Sequence, residues 1–245
     1  MLSYTIWHFN DEEEYQRQTG YPDYKMHKHL HDNLRDVILP SLIKDFEEHN
    51  YDNESVSRFV YILAGLLTGH IMIEDMAIVG KTNTKYDANV DPLAKIKIID
   101  TEFVDFMKRI FQMDVELFDS SYAGTPLKQP SCYQMIFADE NNGKKVRMTM
   151  IIEESMILAL VSKILETNLT KADKNVYRAY VELAQKYAYQ LLNVLHPSSP
   201  LKKISHKYLS LVDLQYCFKE KLPTYALLWK APNGFIGFCY RELDD

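Results

Sequence analysis

Apolar residues recur at helical spacing through roughly the first 80 residues of the chain. After Asn53, apolar side chains stand three or four positions apart, as on the buried face of a helix. This periodicity predicts helices over 11–18, 24–48 and 53–79. Gly20 and Pro22 separate the first two helices, and Pro40 is expected to kink or break the second, because proline removes a helical hydrogen bond. The first part of the chain is therefore predicted to be all helical.

The pattern changes character beyond about residue 96, where strand-like segments join the helical ones. Strands are predicted over 131–138, 145–152, 209–218, 224–230 and 234–240, and helices over 101–112, 154–166 and 173–195. Residues 141–143 (Asn-Asn-Gly) are typical of a hairpin turn between the first two strands. This order of elements indicates an α+β fold, in which long helices cover a largely antiparallel sheet.

A polar segment joins the two parts of the chain. Residues 80–92 are rich in turn-forming residues and poor in apolar ones, as expected of a linker. The predicted organisation is therefore multidomain, with a helical domain over 1–82, a linker over 83–95 and an α+β domain over 96–245.

Charge and composition exclude some classes of function. The formal charge of -6 and the pI near 5.8 argue against a surface that neutralises nucleic-acid phosphates. The apolar runs stop well short of the roughly 20 residues that a membrane span needs. The N-terminus lacks the basic start and apolar stretch of a secretory signal, and the three cysteines form no CxxC pair. We expect a cytoplasmic protein with no membrane span and no nucleic-acid partner.

Six candidate metal ligands fall within the first 75 residues. They are His8, Glu12, His27, His31, His70 and Asp75. The first two are four residues apart, as are the next two, so each pair lies on one face of a helix. Any one of these histidines alone would more often be an ordinary surface or core residue. Together, imidazoles and carboxylates that project from facing helices are typical of paired iron. His29 faces away from this group by helical geometry.

The spacing of these residues resembles the bacteriohemerythrin motif over about the first 80 residues. The matching segments are His8-Phe-x-x-Glu12, Gly20-Tyr-Pro-x-Tyr, His27-x-x-x-His31 and His70-Ile-x-x-x-Asp75. The resemblance implies a helical bundle with a non-haem di-iron site. In that site the four histidines would be terminal ligands, Glu12 and Asp75 would bridge the irons, and dioxygen would bind.

The match to that family is incomplete at the N-terminus. Members of the family carry a further helix that donates one more histidine, whereas seven residues precede His8 here. Either the chain is truncated, or the site is incomplete, or something else closes the bundle. A three-helix bundle would expose an apolar groove in place of the missing helix. Such a groove favours a homodimer or a contact between the two domains.

The long helix predicted over 173–195 carries Glu182 and Gln185, three residues apart on one face. An acid and an amide in this arrangement could orient a water molecule for attack on phosphorus, although the spacing alone is common on helix surfaces. The order of elements over about 96–240 resembles the CheX type of chemotaxis phosphatase, which carries Glu-x-x-Asn on the corresponding helix. By this resemblance, Glu182 would contact the active-site lysine of a phosphorylated CheY-like response regulator. Gln185 would position the water, and Mg²⁺ would belong to the partner.

The two resemblances together predict a signalling protein. In the leading hypothesis, a di-iron domain that senses oxygen or redox state is coupled to a domain that binds and dephosphorylates a response regulator. In a second hypothesis, the second domain only docks or dimerises, and the helical part binds iron without a catalytic partner. A third is that the helical part binds no metal and has only a packing role.

Overall fold

The computed structural model describes residues 2–21, 24–71, 91–125, 127–196 and 201–243. Asp75, the end of the predicted helix over 53–79 and most of the predicted linker lie outside the described residues.

Four α-helices make up the described N-terminal part. They are α1 (Leu2–Thr19), α2 (Tyr24–Asn33), α3 (Leu39–Glu48) and α4 (Asn53–Gly69). The first helix begins nine residues earlier than predicted, and its N-terminal half is helical because Phe9 packs into a small core with Leu34 and Leu66. Asp52 caps the start of α4 by accepting a hydrogen bond from the Ser55 N–H group.

Pro40 does not end the second predicted helix. Residues Leu34–Ile38 form a π turn between α2 and α3, and the Leu39 N–H group donates to the carbonyl of Leu34, five residues earlier. Such a wider turn accommodates a proline, which lacks an N–H group and clashes with the carbonyl four residues before it. The predicted interruption is thus a local π turn within a helical segment that extends from Tyr24 to Glu48.

The second part is an α+β unit around a six-stranded sheet. Its strands are β1 (Glu116–Asp119), β2 (Pro130–Asp139), β3 (Lys145–Glu153), β4 (Leu201–Leu209), β5 (Tyr225–Ala231) and β6 (Gly234–Leu243). They lie in the order β1-β5-β6-β3-β2-β4, and every pair of neighbouring strands is antiparallel. The predicted α+β class and antiparallel sheet are confirmed.

The predicted strand over 209–218 is wrong. The chain there forms a helix, α8 (Leu211–Glu220), and the strand lies before it at β4. Ser210 accepts a hydrogen bond from the Asp213 N–H group, while the Asp213 carboxylate accepts one from the Ser210 N–H group. This capping box starts a helix where the side chains favour a strand. β1 and most of β4 lie outside the predicted strands.

Helices cover both faces of the sheet. On one face lie α5 (Pro92–Phe111), α6 (Glu154–Ile164) and α7 (Lys174–Leu195), and α8 packs on the other. α5 begins inside the predicted linker and is fixed to the sheet by a 2.7 Å hydrogen bond from the Trp229 indole to Asp100. Within the described part of the chain, no helix is both long and apolar enough to cross a membrane.

Candidate functional site

Four of the six predicted metal ligands come together between the N-terminal helices. Glu12 from α1, His27 and His31 from α2, and His70 directly after α4 each place a ligand atom within 4.8 Å of the other three. The Nε2 atom of His31 lies 2.9 Å from Nε2 of both His27 and His70. Oε2 of Glu12 lies 3.5 Å from Nε2 of His27 and 3.4 Å from Nε2 of His31. We call these four residues the histidine cluster.

Helical geometry and burial hold the histidine cluster in place. His27 and His31 share one face of α2 because they are four residues apart. Phe9 of α1 stacks on the His31 ring, with ring centroids 4.0 Å apart, and meets the His70 ring edge-on. The exposed fractions are 2% for His27 and 0% for His31 and His70. His29, which was predicted to face away, is exposed.

A second carboxylate orients the His31 ring. Nδ1 of His31 lies 3.0 Å from Oε1 of Glu13, so the Nδ1–H group donates to this carboxylate. The Nε2 lone pair of His31 is then directed into the histidine cluster. Metal-bound histidines are typically held in this way by an outer carboxylate. No spacing signal pointed to Glu13, since the contact joins residues 18 positions apart.

The electrostatics of the histidine cluster favour metal-binding protonation states. Burial raises the pKa of Glu12, but the interactions with His27 and His31 outweigh this effect and hold it well below its usual range. Burial lowers the pKa of His70 to about 2, and the positive charge of Lys186 adds to this effect. At neutral pH, Glu12 is therefore an anion and His70 a neutral imidazole.

The donor set fits a transition-metal ion of the iron or zinc type. Two nitrogen atoms at about 2.0–2.1 Å from one ion lie roughly 2.9–3.4 Å apart at octahedral or tetrahedral angles. The measured separations of 2.9 Å between imidazole nitrogens match this spacing. Three imidazoles and one carboxylate are suitable ligands for iron. His8 is half-buried on α1 and is not in the group of four, and Asp75 lies outside the described residues.

The predicted catalytic pair lies on α7, and the chain itself surrounds it. Both Glu182 and Gln185 are half-buried. Nζ of Lys203, on strand β4, donates a hydrogen bond to Oε1 of Gln185. Burial raises the pKa of Glu182, and the positive charges of Lys203 and Lys186 offset part of this rise. The role of Lys203 could not be found from the sequence, because its strand was not predicted.

Helix α4 packs directly against α7 beside this pair. A Cβ atom added at Gly65 would lie 2.9 Å from the carbonyl oxygen of Ala179 and 3.3 Å from Cβ of Glu182. One added at Gly69 would lie 2.8 Å from Cγ of Lys186. The glycines therefore permit a close approach of the two helices. Since His70 follows Gly69, the same helix links the histidine cluster to the surroundings of Glu182.

No family model matches the chain, and no curated protein matches it. Among solved structures, CheX in the CheX-CheY-BeF3-Mg²⁺ complex from Borrelia burgdorferi is similar over 64% of this chain and 100% of its own, with 10% identity and a TM-score of 0.47. A CheX protein from Desulfovibrio desulfuricans aligns over 61% of this chain and 99% of its own, with 8% identity and a TM-score of 0.43. A chain of the FliM-SpeE complex from H. pylori aligns over 62% of this chain and 90% of its own, with 11% identity and a TM-score of 0.42. Identities and TM-scores this low assign no function to this chain, so its function must be argued from its own residues.

Proposed function

We propose that the chain is a signalling protein that couples a non-haem iron site to a domain that binds and dephosphorylates a CheY-like response regulator. The observation that carries the first half is the convergence of Glu12, His27, His31 and His70 on one buried point. The iron site would be a di-iron centre that also uses His8 and Asp75. When bound, paired non-haem iron would supply a position for dioxygen or a change of redox state.

The second half of the proposal rests on Glu182 and Gln185, which share one face of α7. Glu182 would hold the regulator by a contact with its active-site lysine, and the Gln185 amide would orient a water molecule. The water oxygen attacks phosphorus, and the bond from phosphorus to the aspartyl oxygen breaks, with its electron pair going to the carboxylate. The products are the regulator's free aspartate and inorganic phosphate. Mg²⁺ belongs to the regulator's acidic site.

Iron content tests the first half. The purified chain is loaded anaerobically with ferrous iron, exposed to air, and measured for bound iron and for its ultraviolet–visible spectrum. We expect about two irons per chain in the parent protein and a clear loss in His31→Ala. His29→Ala, which removes an exposed imidazole from the same helix, is the matched control and should bind as the parent does. Iron at background in the parent would overturn this half.

Release of inorganic phosphate from a CheY-like receiver, phosphorylated with acetyl phosphate, tests the second half. Substituting Glu182→Ala or Gln185→Ala should slow release by roughly a hundredfold, since both act by orienting the reactants. Glu220→Ala removes an exposed carboxylate from α8 and should leave the rate unchanged. Equal rates in the parent and in all three variants would exclude catalysis by this pair.

One observation favours a second candidate function, a domain that docks without catalysis. Gln185 already accepts a hydrogen bond from Lys203, so its carbonyl oxygen is engaged within the chain. On this candidate, the α+β domain binds the receiver or a second copy of the chain and hydrolyses nothing. Binding of a beryllofluoride-activated receiver without any acceleration of phosphate release would favour it over the phosphatase.

A further inference from the structure

Helix α7 is covered along nearly its whole length. From residue 175 to residue 192, a range that the structure describes throughout, each residue is buried or half-buried. One stripe of apolar side chains packs on the sheet, as expected for a helix in this position. The stripe that carries Glu182, Gln185 and Lys186 is polar, and such a stripe on a sheet-covering helix normally faces water. Here it does not.

The cover over this polar stripe is α4. Burial raises the pKa of Tyr61, and the charge of Asp173 adds to this effect, so Tyr61 at the middle of α4 lies near the start of α7. Four residues later Gly65 meets Ala179 and Glu182, and after four more Gly69 meets Lys186. The contacts advance in the same direction along both helices, so α4 and α7 run parallel.

Two glycines make this contact possible. A glycine within a helix costs about 1 kcal/mol relative to alanine. At Gly65, however, a Cβ atom would be within 3.0 Å of a backbone oxygen, which cannot move aside without shifting α7. At Gly69 a Cβ atom would lie 2.8 Å from Cγ of Lys186, close to the α7 backbone, so the Lys186 side chain would have to shift. Both glycines therefore keep α4 close to α7, and Gly65 faces the part of α7 that carries Glu182.

The far end of α4 is tied to the histidine cluster. The helix ends at Gly69, and the next residue, His70, places Nε2 2.9 Å from Nε2 of His31. A displacement of α4 along or away from α7 would withdraw His70 from this position. The state of the histidine cluster and the position of the cover are thus mechanically linked.

We propose that α4 is an intramolecular cover for Glu182 and Gln185, held in place from the histidine cluster through His70. The proposal gives regulation to the site in the proposed function, on which it rests. A folded receiver domain cannot reach a half-buried carboxylate beneath a closely packed helix. Docking therefore requires α4 to move, and metal bound by His70, His27 and His31 keeps α4 in place.

Thiol labelling at position 185 tests the cover without any regulator. The full chain carries Gln185→Cys together with Cys217→Ser, since the other two cysteines are buried. Labelling by a bulky maleimide should be roughly ten- to a hundredfold faster when Gly65→Ala is added, because overpacking weakens the contact between the helices. Adding Val60→Ala in its place changes an exposed residue on the same helix and should leave the rate unchanged. Equal rates with Gly65→Ala and Val60→Ala would overturn the cover.

Ferrous iron tests the link to the histidine cluster in the same labelling assay. Iron-loaded protein should label several-fold more slowly than protein freed of metal with a chelator, and His70→Ala should abolish this difference. An unchanged rate on loading, in protein shown to hold iron, would overturn the link.

If Gly65→Ala opens the site but fails to increase binding of an activated receiver, the cover stands and the proposed function fails. If Gly65→Ala folds poorly, hydrogen exchange in α4 of the parent decides, since receiver docking must increase deuterium uptake there.

Discussion

The two imidazole nitrogens of His31 have different roles, which depend on two adjacent glutamates. Glu12 lies 3.4 Å from Nε2, inside the histidine cluster, whereas Glu13 lies 3.0 Å from Nδ1 on the outer side of the ring. Nζ of Lys28 lies 3.6 Å from Oε2 of Glu13. Adjacent residues on a helix point about 100° apart, so one glutamate can be a candidate ligand while its neighbour orients the ring.

Removing Glu13 should therefore weaken metal binding without removing a ligand. We expect Glu13→Ala to lower the affinity for ferrous iron about 10- to 100-fold, because the His31 ring loses the acceptor that fixes its tautomer and orientation. Titration of the metal-free protein with ferrous iron measures the change. Glu14→Ala is the control, since Glu14 pairs with Arg17 at the surface. Equal affinities in the two variants would show that Glu13 has no orienting role.

At the scale of elements, helix α8 depends on its capping residues. Its sequence contains Val212, Tyr216 and Phe218, which favour strands, and Val212 and Tyr216 remain exposed in the helix. Ser210 and Asp213 satisfy the first N–H groups of α8 with their side chains. A residue-by-residue propensity thus favours the strand, and the cap reverses the outcome.

Ser210→Ala should destabilise α8 and the sheet face that it covers. Losing this cap should lower the free energy of unfolding by about 1 kcal/mol, within the usual range of about 0.5–2 kcal/mol for such substitutions. Urea denaturation of the full chain measures the difference. Ser205→Ala changes an exposed serine on β4 and should alter stability by less than about 0.5 kcal/mol. A loss in Ser210→Ala no larger than in Ser205→Ala would contradict a stabilising cap.

The elements that could be predicted are those with a long periodic pattern. The helix over 173–195 and the strands over 145–152 and 224–230 lie within a few residues of their observed bounds. Edge strands β1 and β4 were missed because each is paired on one side only and neither contains a fully buried residue. For the site, spacing four apart identified His27 and His31. The contacts from Lys203 to Gln185 and from Glu13 to His31 join distant parts of the chain and follow only from the tertiary structure.

At the scale of the whole molecule, the two predicted domains share a helix–helix contact. An incomplete bundle is predicted to have an apolar groove that packs against a second copy of the chain or against the other domain. In the described part of the chain, α4 lies along α7 of the α+β domain. Because this helix belongs to the core of one part and to the cover of the other, we expect the two parts to unfold cooperatively.

If the two parts unfold together, iron bound to the helical part should also stabilise the sheet. The chain has two tryptophans, Trp7 on α1, with 61% of its surface exposed, and Trp229 in the sheet, with 0% exposed. In a Trp7→Phe variant, fluorescence therefore reports only on the sheet. On the proposed function iron binds the folded helical part, so it should also raise the denaturant midpoint reported by Trp229, by an amount equivalent to about 2.7 kcal/mol at 100 times the dissociation constant. His31→Ala should remove the effect. If iron shifts the helical circular dichroism signal and leaves the Trp229 midpoint unchanged, the two parts unfold independently and the contact between α4 and α7 transmits no stability.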